Sequence, residues 1–200
     1  MADNPELGAK VVTMPAETER QFTDHVGMIV FLASWAMMFG ALFFLLAGLR
    51  LRAPTWPPPG PRLPVLLPAL ATAVLAGSEL VLMRVTAALR RREVGRIVPG
   101  LLATLALGLL FLGLQTITWV SVWNAGLRHD SGAYGSLFYC LTVFHALHVV
   151  VGLGLLAGRL PAAIRHGYDV RHAARFRLAG MFWHFVGIVW ILMFLSMYLA

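Results

Sequence analysis

Glu79, His145, His148 and His184 of this 200-residue chain are ionisable side chains deep in stretches that are mostly apolar. His145 and His148 lie in YGSLFYCLTVFHALHVVVG, residues 134–152. They are three residues apart, so on a helix they share a face. Glu79 interrupts the apolar run at 63–89, and His184 lies in the last such run. A titratable group deep in hydrocarbon is costly and turns toward protein or function. Three chemistries suit these residues: hydrogen bonding between helices, heme ligation, or metal binding. Heme would need two axial imidazoles on facing helices, and His145 with His184 is the pair to consider. Against it, the two are expected at different depths, the chain has no CxxCH sequence, and only three histidines lie firmly within apolar runs. A zinc or copper site would need further ligands, and Glu79 is the one available. No metal site is therefore expected in this chain. The favoured role of His145 and His148 is hydrogen bonding between helices or to a bound lipid.

Glu79 needs a partner or a proton. Arg84 is five residues on, roughly 140° around a helix, and so is a poor partner. The spacing leaves two readings open. In one, Glu79 faces the bundle interior and pairs with His145 or His148. In the other it is a protonated acid bonded to a neighbouring hydroxyl or carbonyl.

The elements that must carry these residues follow from composition. Hydrophobic residues make up 59% of the chain and charged ones 12%. A membrane-crossing helix needs about 20 apolar residues. Five such stretches, at about 26–49, 63–89, 97–123, 134–160 and 177–199, account for most of the length. The expected fold is all-α, an integral membrane bundle of five transmembrane helices at 26–200, after a polar, loosely ordered N-terminal tail at 1–25. Five prolines between 54 and 61 make the first connection a stiff polyproline-like link. The first 24 residues are polar, which argues against a cleavable signal. The single cysteine, Cys140, excludes an internal disulfide and a cysteine-based metal cluster.

The formal charge of +7 does not indicate nucleic acid, because the cations lie in short connections where orientation signals belong. One side of the membrane receives Lys10, Arg20, the group Arg90, Arg91, Arg92 and Arg96, and the arginines from 159 to 177, eleven in all. The other receives Arg50, Arg52, Arg62 and Arg128, four in all. This bias puts the N-terminus in the cytoplasm and the C-terminus outside. Counting residues from the inner ends puts Trp35, Glu79, His145 and His148 near the midplane, with His184 closer to the inner surface. Arg84 is near enough to the inner end to snorkel, and Arg90 and Arg91 could hold an anionic headgroup. Trp183 and Trp190 are read as packing or lipid contacts.

Several stretches, in order, resemble subunit III of the heme-copper terminal oxidases, the cytochrome c oxidase subunit III family. Tyr134-Gly135-Ser136 followed by FHALHVVVG resembles that family's YGS…GFHGLHVxxG helix. WHFVGIVWILMFLSMYL, at 183–199, resembles its final WHFVDxVWxxLxxxxY helix. GMIVFLASWAMMF, at 27–39, resembles GxxxFxxSExxxF, and LPALATAVLAGSE, at 67–79, resembles the segment with LNTxxLxxSS.

The resemblance implies a non-catalytic subunit of a respiratory oxidase in a bacterial inner membrane. Oxygen reduction, electron transport and proton translocation would belong to the complex. Its hemes and copper would sit in the catalytic subunit I, with subunit II a further partner. This chain would bind phospholipid, carry no redox cofactor, and stabilise the catalytic subunit. Five spans would match the last five of a seven-helix form. Three carboxylates of the family are replaced, by Trp35, by Gly187, and by uncharged residues around Gln115 and Trp119. Glu79, at the depth of Trp35, suggests that the acid has moved to the adjacent helix. A membrane b-type cytochrome and a nitric oxide reductase accessory protein, which shares the family pattern, are the alternatives.

Overall fold

The computed structural model describes residues 16–56, 63–166 and 170–199. All its regular elements are helical: α1 (Ala16–Arg52), α2 (Leu66–Arg91), α3 (Val94–Asn124), α4 (Ala133–Ala157), α5 (Leu160–His166) and α6 (Val170–Phe194), the last running into a π-helical segment, Leu195–Leu199. Five of these helices are long and apolar enough to cross a membrane. The helices are longer than the expected spans where polar residues can continue the turn outside hydrocarbon. Residues 16–25, expected as loose tail, are the first turns of α1. At 37 residues α1 is about 55 Å long, well beyond a hydrocarbon core of about 30 Å. The rest of the expected tail, 1–15, and most of the proline-rich link, 57–62, lie outside the described residues.

α2 and α3 form a tight antiparallel hairpin. Arg92 adopts the left-handed conformation, with φ of 59°, and caps α2. Glu93 N–H then returns to the Ala88 carbonyl at 2.9 Å, a Schellman-type closure that lets α3 start two residues later. Pro99 lies inside α3, in its second turn, and its missing N–H leaves the Gly95 carbonyl without that helical bond. The expected fourth span is α4, which stops at Ala157; the short α5 follows after Gly158 and Arg159.

α6 packs against both α2 and α4, and α3 packs against α4, so α2, α3, α4 and α6 enclose the core. Half of the most apolar window of α6 is buried, against 11% of that of α1. α1 rests on α4 and α6 through Phe31 over Phe182 and Phe39 beside Phe185. The core is capped by fully buried rings, Phe111, Phe138, Phe182, Trp183 and Trp190.

Candidate functional site

The buried acid is held by α2 and α6. Glu79 Oε2 accepts a short hydrogen bond from His184 Nδ1. This partner differs from the expected one, since Glu79 makes no hydrogen bond to His145 or His148. It also corrects the depth of His184: Glu79 is near the middle of α2, and His184, bonded to it, shares its height near the midplane. Gly187 is what admits the carboxylate. A Cβ at Gly187 would fall 2.6 Å from Glu79 Oε1, closer than real contacts allow. The acid therefore fills the space in front of position 187, where the resembled motif carries its own Asp.

Trp35 has a different neighbour. Its ring meets the His148 imidazole edge-on at 4.2 Å, where the resembled pattern has a carboxylate. Phe39 and Phe182 complete an aromatic box around His148, whose Nδ1 donates to the Phe144 carbonyl one turn back at 2.6 Å. His145 lies one turn along α4, 1% exposed, against the rings of Phe111 and Trp190, which also meet each other. Neither His145 nitrogen has a hydrogen-bond partner among the described residues, and neither do the amide atoms of buried Gln115. The four residues read as one polar network thus occupy separate settings: Glu79 with His184, His148 in its box, and His145 against two rings.

Indole donors lock the helices around these settings. Trp183 Nε1 donates to Ser78 Oγ at 3.0 Å, beside Glu79, and Trp190 Nε1 donates to Thr72 Oγ1 at 2.9 Å. Trp119 Nε1 donates to Thr142 Oγ1 at 3.0 Å and ties α3 to α4. Each such bond between helices contributes about 0.6–2 kcal/mol in a membrane. Trp183 and Trp190 are 0% and 1% exposed, so the expectation that they touch lipid is corrected. They look inward because α6 is surrounded on most sides, and their N–H groups need acceptors that lipid tails lack. Arg84, Arg90 and Arg91 are exposed toward the end of α2, as lipid contact requires.

The heme pairing of His145 with His184 does not fit this geometry. His145 packs on Trp190, six residues beyond His184, which is roughly 240° around α6. The two imidazoles thus address different sides of that helix. Among the described residues, no three His, Cys, Asp or Glu side chains converge as a metal site would require.

Two close packings on α4 involve Gly135 and Gly152, whose positions on an apolar helix suit packing notches. The first is the Gly135-Ser136 pair, which clamps the α3–α4 connection. Gly135 presses against the Arg128 carbonyl, leaving no room for a Cβ, and Ser136 Oγ donates to the His129 carbonyl at 2.6 Å. Tyr139 adds a bond from its hydroxyl to the Leu127 carbonyl at 2.9 Å. The second is the slot that holds Trp183. A Cβ at Gly108 or at Gly152 would come within 2.8 Å of its ring. Glycines on facing helices were the available signal for it.

Known proteins carry the same pattern. The family model for cytochrome c oxidase subunit III matches residues 18–200. A cytochrome c oxidase subunit 3 of Thermostichus vulcanus is 32% identical over 175 residues, covering 87% of this chain and 86% of that protein. Those of Locusta migratoria and Cyprinus carpio are 33% and 34% identical over 180 residues, covering 86% of this chain and 67% of each relative. With the five apolar helices and the WHFV and two-histidine helices in place, the chain belongs to the cytochrome c oxidase subunit III family.

Proposed function

We propose that this chain is the stabilising, lipid-binding subunit of a heme-copper oxidase in a bacterial cytoplasmic membrane, packed against a catalytic subunit I and accompanied by subunit II. Hemes and copper reside in those partners, and oxygen reduction and proton translocation belong to the complex. The observation that carries this reading is how the interior is used. The indole donors and the Glu79–His184 pair join helix to helix, and rings and aliphatic side chains make up most of the remaining interior. Such an interior builds a rigid support.

Lipid has a suitable place between α1 and α4. A cavity of about 600 Å³ there is lined by Leu42, Leu45, Leu49, Leu137 and Cys140, with Arg52 among its lining residues. Acyl chains match the aliphatic wall, and the guanidinium at the end of α1 suits a phosphate. Arg84, Arg90 and Arg91, toward the other end of the bundle, suit headgroups of the opposite leaflet. The arginine bias places the N-terminus in the cytoplasm.

Purification in mild detergent tests the reading. The chain should co-purify with subunits that carry heme spectra, and retain phospholipid that Arg52→Gln reduces. A Soret band on the isolated chain would overturn it. Glu79→Gln should shorten the working lifetime of the oxidase, and an unchanged lifetime would remove Glu79 from that role.

A further inference from the structure

The polar groups in the spans are closed off in two ways, and His184 follows neither. Ser78, Thr104, Thr118, Thr142 and His145 are at most 1% exposed. Outward-facing hydroxyls such as Ser34 and Thr116 bond to carbonyls of their own helix. The His184 side chain, in contrast, is 41% exposed near mid-height, with the 19% exposed Glu79 behind it. With Nδ1 engaged by Glu79, Nε2 is the ring nitrogen left to reach a further hydrogen-bond partner. Met83 lies one turn from Glu79, and Ile188 and Ile191 lie one and two turns from His184; all three are 48–59% exposed. Beside them α1 is the least buried helix of the bundle.

We propose that this face of α6 and α2 is the seat of a transmembrane helix from a partner subunit, which presents a hydrogen-bonding side chain to His184 Nε2 at the bilayer midplane. The apolar flank fits a greasy helix, and the one polar point fixes its register, as an interhelical polar contact does in hydrocarbon. Lipid does not satisfy the site. Acyl chains carry no hydrogen-bonding group, and headgroups lie about 15 Å away, half the hydrocarbon thickness. A second copy of this chain does not satisfy it either, because an isologous contact centred on His184 would set two identical nitrogens, both donors or both acceptors, against each other.

The assignment rests on the chain being part of an oxidase complex, and the test separates the two ideas. A benzophenone side chain placed at Ile188 is photoactivated in native membranes, and its adduct is identified by mass spectrometry. The expected product joins this chain to another subunit; a product with lipid alone or with a second copy overturns the assignment. In parallel, His184→Gln, whose amide can both donate and accept, should stay on the detergent-purified complex within about twofold of the parent. His184→Phe should be retained about tenfold less at equal membrane levels, the effect of losing roughly one good hydrogen bond. Equal retention of the Phe variant overturns the docking site but leaves the oxidase reading standing. Purification of the parent chain without any heme-bearing subunit overturns both.

Discussion

The His184 and His145 sites show how one residue type serves two purposes in the same membrane bundle. His184 meets a carboxylate, keeps part of its ring at the surface, and owes its place to the missing side chain at Gly187. His145 is sealed against Phe111 and Trp190 and used as a ring. The difference lies in what the facing helix offers. α2 presents an acid at the level of His184, whereas rings of α3 and α6 face His145. An imidazole in hydrocarbon thus joins two helices only where the opposing helix supplies a partner. His145, without one, is flat packing material that carries the cost of unpartnered nitrogens.

Trp183 joins the two regions, so its loss should do most damage. Trp183→Ala empties the slot between Gly108 and Gly152, removes the bond to Ser78, and should cost about 3–5 kcal/mol, read from unfolding in mixed detergent. Glu79→Leu should rank next. It leaves a half-buried imidazole without its acceptor, at about 2–3 kcal/mol, and a loss no larger than that of His145→Phe would erase the contrast between the sites. Gly187→Ala should cost about 1–3 kcal/mol by crowding the carboxylate. Combining Glu79→Ser with Gly187→Asp should recover most of the thermal stability that either change loses, because the acid then reaches the same space from the other helix. Additive losses in that double variant would show that the two positions do not share a carboxylate site. His145→Phe should be the mildest, within about 1 kcal/mol of neutral and able to stabilise, since it exchanges unpartnered nitrogens for a ring of similar shape.

Much of this was legible in the amino-acid order. The apolar runs determined five spans and an all-α fold, because a bilayer accepts a lone backbone only as helix. The two-histidine and WHFV stretches carried the family. The depth of Glu79 was readable from its distance to the helix ends. Its partner was not. Depth orders residues along the bilayer normal but says nothing of the direction in which a side chain leaves its helix. In a soluble bundle the apolar stripe supplies that direction. Here lipid and core are equally apolar, so the pattern of α4 and α6 has almost no preferred face. Trp183 and Trp190 could therefore be placed outward from sequence although they fill the core. The sequence by itself determined how many helices cross, what family they form and which rare polar groups they carry. The tertiary structure alone decided that Glu79 meets His184 over Gly187, because only the packed register of α2 against α6 sets which side chains share a height and a side.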